Sequence, residues 1–346
     1  MRRSAWLLLA AALPLSAVHA AETAPAAPTP APASTAPAPA PARFDLSRPE
    51  IQSFIAERVK EGASAEKVTA ILARAESQPK IIEIMTRPAE QALQWHEYRS
   101  RFINDERIDA GVKLWQEHRD LLEGVARDYG VSPQFILAII GVETFYGRTT
   151  GRYRVLDALS TLAFDYPPRS TFFRSELAQF LRMLDEEKLD ATAPLGSYAG
   201  AMGVTQFMPS SFRKYAVNVD GPPARDLWRD WGDIFGSIAN YLHQYGWAYG
   251  DTVLAEASYT GGSTPELPAA LSLKENLGGL KQQGFATDYG AADDTPAFVI
   301  SAQLADRMSY RIGFKNFYVI TRYNGSRLYA MAVNDLANEL NTRFYQ

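Results

Sequence analysis

Between Pro133 and Glu143 lies the segment that most restricts how this chain can fold. Phe135, Ile136, Leu137, Ala138, Ile139, Ile140 and Val142 follow one another with only Gly141 among them. Ser132 and Pro133 precede the run as an N-cap and a first helical residue. The segment reads as a helix that is apolar all the way round, and such a helix must be wrapped by other elements. Its last turn, before Gly147, carries Glu143. A carboxylate is costly to bury there. Either it is paired with an arginine or backbone donors, or it faces a cleft and does chemistry. The apolar setting and the negative end of the helix dipole both favour the neutral acid, the state a general acid needs near neutral pH.

Elements able to wrap that helix are found on both sides of it. From Phe44 to about Tyr129 the periodicity is helical. In "EIQSFIAERVKEG" Ile51, Phe54, Ile55 and Val59 share one face, and "SAEKVTAILARAE" opens on Ser64 as N-cap. The stretch from Gln91 to Gly130 reads as helix broken near Asn104-Asp105 or Gly111, with Gly130 as its stop. Further helices are expected at "RVLDALSTLAFDY", "STFFRSELAQFLRMLDEEK" and "GDIFGSIANYLHQYG". After Gly250 the pattern changes: "PAFVISAQL", "RMSYRI" and "NFYVITRYN" have strand character, and "AMAVNDLANELNTRFY" closes the chain as helix. The expected class is mainly α (α+β), with a small late sheet.

The first twenty residues have the order of an export signal: Arg2 and Arg3, an apolar stretch from Ala5 to Leu15, and the small-residue pattern Val18-His19-Ala20. That stretch is too short to span a membrane, which takes about 20 apolar residues. Glu22 to Ala42 is almost all Ala, Pro, Ser and Thr, a composition that cannot bury a core and suits a tether. The chain has no cysteine, so it has neither disulfides nor a site for lipid attachment at an N-terminal cysteine. A net charge of −4 over 346 residues leaves no nucleic-acid footprint. The four histidines have no metal-like spacing.

Two further stretches carry chemistry. "GSYAGAMGVTQFMPSSF", Gly196 to Phe212, is rich in small residues that let a ligand approach the backbone, and its Gln206 amide both donates and accepts, as an N-acetyl group requires. Ser197 adds a hydroxyl. The same glycines also suit a tight loop packed on the core helix. "NFYVITRYNGSRLYAMAV" holds Tyr323, Asn324 and Tyr329, with Asn324-Gly325 as a turn signal.

Together with "AIIGVETFYG", these segments resemble the lytic murein transglycosylase B family, enzymes that cleave peptidoglycan glycan strands with a lysozyme-like catalytic core. The resemblance runs from about Phe44 to the C-terminus. It implies that Glu143 is the catalytic acid/base. It further implies that Ser197 and Gln206 lie beside Glu143 with Phe207 as a wall, and that Tyr98, Tyr241, Tyr323, Asn324 and Tyr329 line the saccharide groove. The implied organisation is a signal at 1–20, a linker at 21–42, a helical domain at 43–130, the lysozyme-like core at 131–250, a small α/β subdomain at 251–316, and a strand and helix returning to the core at 317–346.

Two stretches depart from the family pattern. In "FDYPPRS" Pro168 stands where a second basic residue is expected, leaving Arg169 to meet an acidic substrate group. In "NVDGPPARDLWRD" Pro222, Pro223, Ala224 and Arg225 occupy the middle of what is an EF-hand type calcium loop in some members, and Asn218, Asp220 and Asp226 do not complete a ligand set, so no metal and no cofactor are expected. A second carboxylate, which two-carboxylate glycosidases need, has no motif beside Glu143; Asp157 and Asp165 read as helix caps or ion pairs. The resemblance therefore implies a one-carboxylate route ending in a 1,6-anhydromuramyl product. Water-dependent lysozyme-like hydrolysis and a non-catalytic glycan-binding scaffold of wall-synthesis complexes are the alternatives. The expected setting is a periplasmic monomer acting on peptidoglycan strands, with wall-synthesis proteins as possible partners and no stable membrane insertion.

Overall fold

The computed structural model describes residues 42–86, 93–219, 221, 224–268 and 270–346. The signal and all but the last residue of the Pro/Ala segment lie outside them. That last residue, Ala42, belongs to a two-residue strand, β1 (Ala42–Arg43). There follow α1 (Pro49–Lys60), α2 (Ala65–Leu72), β2 (Glu76–Ser77) and α3 (Pro79–Thr86), with β1 antiparallel to β2. Next come α4 (Trp95–Phe102), α5 (Asp105–Glu117), α6 (Arg119–Tyr129) and the central α7 (Pro133–Thr144). The core continues through β3 (Tyr153–Arg154), α8 (Val155–Phe164), α9 (Ser170–Glu187), β4 (Leu195–Gly196), α10 (Pro209–Tyr215) and α11 (Trp231–Gln244). The last part comprises β5 (Leu254–Tyr259), α12 (Leu277–Gln282), β6 (Phe285–Ala286), β7 (Phe298–Gln303), β8 (Met308–Gly313), α13 (Lys315–Tyr323) and α14 (Arg327–Phe344).

The chain is mainly helical with a small late sheet, and α7 is wrapped as its composition demands. Ile136, Leu137, Ala138, Ile139 and Ile140 are fully buried. The most extensive partner of α7 is α14, and α5, α6 and α11 pack around the rest of it. Burial of each isoleucine or leucine side chain among them stabilises by about 1.5–3 kcal/mol. Ser132 takes the N-cap conformation before Pro133, although its side chain makes no cap bond. Ser64 does cap α2, accepting from Lys67 N.

Two sequence expectations differ from the structure, and one open alternative is decided by it. "NFYVITRYN" is helix α13, not strand. Its β-branched residues Val319, Ile320 and Thr321 are buried together with Asn316 and Phe317, so packing on one helical face overrides β-propensity. The 317–346 segment thus returns to the core as two helices. The break after α4 falls at Asn104, which caps α5 by accepting from Arg107 N, whereas Gly111 lies inside α5. Val59 is exposed while Ile51, Phe54 and Ile55 are buried, with Phe54 packed edge-on against Phe164.

The sheet is antiparallel in the order β6-β5-β8-β7. Along β7, Phe298, Ile300 and Ala302 join the main core while Val299 faces a second small core with Leu277, Leu280 and Ile312. This is the two-residue alternation of a strand covered on both faces. Asp335 on α14 ties the parts together: it accepts from Arg311 of β8 (2.9 Å) and Arg99 of α4 (3.1 Å). Among the described residues no helix is long and apolar enough to cross a membrane.

Candidate active site

Glu143 occupies the last turn of α7, where the sequence places it. It retains some accessible surface but has protein packed deeply about it. Burial pushes its carboxyl up to about 7, and a weak interaction with the Tyr329 hydroxyl pulls in the opposite direction. That hydroxyl is itself fully buried without a partner at ordinary hydrogen-bond geometry. Tyr98, Tyr323 and Tyr329 all have their phenols held neutral, first by burial and next by the charge of Glu143. The site therefore gathers α4, α7, α13 and α14 around one carboxyl.

Just after Glu143 the backbone makes an unusual exit. Phe145 and Tyr146 both adopt left-handed conformations, with φ of 50° and 56°. Phe145 N donates to Gly141 O (3.2 Å) and Tyr146 N to Ile140 O (3.3 Å). Glycine usually takes such a helix end, and each non-glycine residue there costs about 1–2 kcal/mol. Side-chain packing offsets that cost. The Tyr146 ring fills a notch between two helices: a Cβ at Gly111 would lie 2.3 Å from its hydroxyl, and one at Gly141 2.6 Å. The Phe145 ring lies under the guanidinium groups of Arg107 (4.6 Å) and Arg148 (4.4 Å). Thr144 Oγ1 donates to Val204 O (3.1 Å) and accepts from Gly147 N (3.1 Å).

Thr144 thereby joins α7 to the loop 202–207, which is pinched by paired bonds between Met202 and Phe207 (2.8 and 3.2 Å). A Cβ at Gly203 would lie 2.4 Å from Leu227 O. Gln206 is also left-handed, with φ 52°, and its side-chain nitrogen donates to Thr150 O (3.0 Å) and Gly203 O (2.9 Å). Both N–H groups are spent on backbone, leaving Oε1 as the atom not used in these bonds. Ser197 Oγ accepts from Ala199 N (3.3 Å) and Ala201 N (3.1 Å), holding its own turn. Tyr323 donates to Thr205 O (2.5 Å), tying α13 to the loop. Phe207 packs against Tyr323 and Tyr241, with both ring centroids 5.7 Å away.

Not every expected groove residue is placed alike. Tyr241 is buried and donates to Arg322 O (2.5 Å), so it braces the end of α13. Asn324 is buried and accepts from Ser326 N (3.1 Å), shaping the turn into α14. Arg169 lies over Phe172 (4.7 Å) and Phe173 (5.3 Å), and no contact ties it to Glu143. Asp157 and Asp165 are engaged elsewhere: Asp157 accepts from Glu76 N (2.9 Å) and Arg154 (2.6 Å), and Asp165 from Arg48 (2.7 Å) and Ser77 (2.6 Å). Tyr146 and Thr144 escaped the sequence reading. Their only signal was adjacency to Glu143 within "ETFYG".

The loop after α10 braces the opposite side of 202–207 through Val204 N to Leu227 O (2.7 Å). Arg225 is its centre. The guanidinium and backbone N–H of Arg225 both bind the buried Glu187 carboxylate, and Nη1 donates to Ala216 O (3.2 Å). Buried Asp233 accepts from Val219 N and Asp226 N, both at 2.8 Å.

Residues 47–338 match the Transglycosylase SLT domain family. Membrane-bound lytic murein transglycosylase B of Escherichia coli (strain K12) is 37% identical over 297 residues, covering 83% of this chain and 81% of that protein. The chain belongs to the lytic murein transglycosylase B family. Solved members are similar over most of the chain. Soluble lytic transglycosylase SltB1 from Pseudomonas aeruginosa superposes with a TM-score of 0.81 at 42% identity, covering 86% of this chain and 100% of that one. The Escherichia coli lytic transglycosylase Slt35, solved in complex with calcium, gives a TM-score of 0.79 at 36% identity over 87% of this chain and 96% of its own. As a lytic murein transglycosylase, the chain is an enzyme whose substrate is the peptidoglycan glycan strand.

Proposed function

We propose that Glu143 is the single general acid/base of a lytic transglycosylase that cuts the β-1,4 bond between N-acetylmuramic acid and N-acetylglucosamine. The observation that carries this reading is a carboxyl deeply surrounded by protein yet partly accessible and pushed up to about 7, with tyrosines rather than a second carboxylate acting on it among the described residues. The protonated Glu143 donates to the glycosidic oxygen as the C1–O bond breaks, and the muramyl N-acetyl group stabilises the developing cation. The Glu143 carboxylate then takes the proton of the C6 hydroxyl as O6 closes on C1, giving the 1,6-anhydro ring. No water enters, and Glu143 returns to its acid form.

In this reading Ser197 and Gln206 Oε1 border the acetamido group, with Phe207, Tyr98 and Tyr323 as walls. Tyr329 positions the Glu143 carboxyl. Tyr241 and Asn324 hold the wall behind, and Arg169 meets acidic groups farther along the strand. Calcium has no step to perform. Among the described residues of the loop that would hold it and of α11 beside it, the Arg225 guanidinium sits on Glu187 and the Asp233 oxygens accept from backbone N–H groups, an arrangement unsuited to a dication. The export signal directs the enzyme to the periplasm, and N-terminal sequencing of the mature form, expected to begin after Ala20, checks this.

The deciding experiment is digestion of purified sacculi. The released muropeptides should be lighter by one water than hydrolysed ones and should resist borohydride, because an anhydro end has no free aldehyde. Products that reduce readily and take label from heavy-oxygen water at C1 would establish hydrolysis instead. Binding without any released fragment would establish a scaffold.

A further inference from the structure

At the other end of α7 from Glu143, eleven residues or roughly 16 Å along the helix axis, the surface holds a cavity of about 620 Å³. Its wall is built from α6, the first residues of α7, the turn after α11 and the last turn of α14. None of the residues discussed for the cleft lines it. The size is that of a site for a small ligand or one sugar-peptide unit.

What sets this cavity apart is its rings. Tyr249 and Tyr345 are 68% and 67% exposed, the two most exposed large apolar side chains among the described residues, and both border this one cavity. Single exposed apolar residues are ordinary; two of the largest facing the same hollow mark a contact surface. Tyr345 is held in place, edge-on to Trp115 (6.2 Å) and Phe344 (5.1 Å), so its exposed face is presented by a supported ring. The same cavity is also lined by residues that carry hydrogen-bonding groups: Gln134 and Asn341 with side-chain amides, and Arg127, which is exposed and has no ion-pair partner among the described residues. Arg119 also borders the cavity, with its charge matched by Glu123 at 3.0 Å. Among the described residues Arg127 is therefore a cation at this cavity without an ion pair.

Flat rings present an apolar face to a sugar's C–H groups while keeping a polar tip in water. Amides match N-acetyl groups, and a free guanidinium matches a carboxylate bidentately. We infer that this cavity is a second glycan-binding site, which holds a peptide-bearing sugar of the wall polymer while another stretch of the polymer lies at Glu143. The assignment rests on peptidoglycan being the substrate. A second point of attachment to one insoluble polymer turns rebinding into an intramolecular event, which raises avidity without changing the chemical step.

The test compares two substrates with the full chain. Tyr249→Ala combined with Arg127→Glu alters only exposed side chains, and Tyr345→Ala is made separately because its ring also packs inward. On intact sacculi, KM should rise about tenfold or more with kcat unchanged. On a soluble tetrasaccharide, too short to reach both sites, both constants should stay at their wild-type values. In a Glu143→Gln background the same changes should lower co-sedimentation with sacculi. An unchanged KM on sacculi overturns the second site, and so does an equal loss on the tetrasaccharide. A change in oligomeric state with sacculus binding intact would show that the face joins copies of the chain, and overturns it as well. Failure of the Glu143 assignment reads out separately, as residual cleavage by Glu143→Gln on either substrate.

Discussion

A single carboxyl at the end of a buried helix has thermodynamic consequences that can be measured apart from catalysis. The raised pKa of Glu143 means that the folded state binds its proton more tightly than the unfolded chain does. Below about pH 4.5 the group is protonated in both states and contributes no difference. As pH rises towards 7, ionisation is easy in the unfolded chain and resisted in the folded one, so stability is lost over that window. Glu143→Gln removes the loss. It should melt like the wild type near pH 4.5 and higher than the wild type at pH 8, by an amount on the order of a few kcal/mol. The same substitution should lower turnover by about 10²–10⁴-fold. Calorimetry at the two pH values, paired with turnover, checks both. Tyr329→Phe tests the neighbour. The Tyr329 hydroxyl lowers the pKa of Glu143, so its loss should move the alkaline limb of the pH–rate profile upward; a limb that stays or falls would refute the contact.

At the level of single elements, the helix ends matter more than the helix bodies. Gly141→Ala should be tolerated on propensity alone, since alanine favours a helix interior by about 1 kcal/mol over glycine. Here the new Cβ would stand 2.6 Å from the Tyr146 hydroxyl and 2.9 Å from Leu336 Cδ2, both in the packed core. The expected result is a loss of about 1–3 kcal/mol from overpacking, with kcat reduced more than KM is altered. Tyr146→Phe in the same chain removes the nearest atom and should restore part of both. If Gly141→Ala is instead as stable and active as the wild type, Tyr146 is not what holds the exit from α7. This is also where sequence reading reached its limit. The apolar run announced α7 and its terminal glutamate because a continuous hydrophobic pattern has few alternatives. Nothing in "TFYG" announced two left-handed residues, because the room for the Tyr146 ring is left by Gly111 and Gly141, outside that stretch. The strand reading of α13 failed for a related reason: Val319, Ile320 and Thr321 favour strands locally, and only the surfaces waiting for them made a helix.

Across the whole molecule, side chains fasten the loops that surround the site. Arg225 and Glu187 pair with side-chain exposures of 20% and 5%, so Arg225→Ala would strand a nearly buried carboxylate. A loss of about 3–5 kcal/mol is expected, along with weakened activity as the brace on Val204 loosens. Chelator, by contrast, should leave melting temperature and activity unchanged, and a fall reversed by added calcium would contradict the donor chemistry of that loop. The pairing of α7 with α14 carries a different consequence, for the timing of assembly. Some two hundred residues of chain separate these partners, and the Tyr329 that faces Glu143 arrives with the second of them. Contacts of such range form late, after the loop-closure cost has been met. A chain in which α14 has not yet docked therefore holds Glu143 without the Tyr329 that faces it. A chain whose last helix has not docked is expected to lack activity, and assaying a chain truncated before Arg327 checks this.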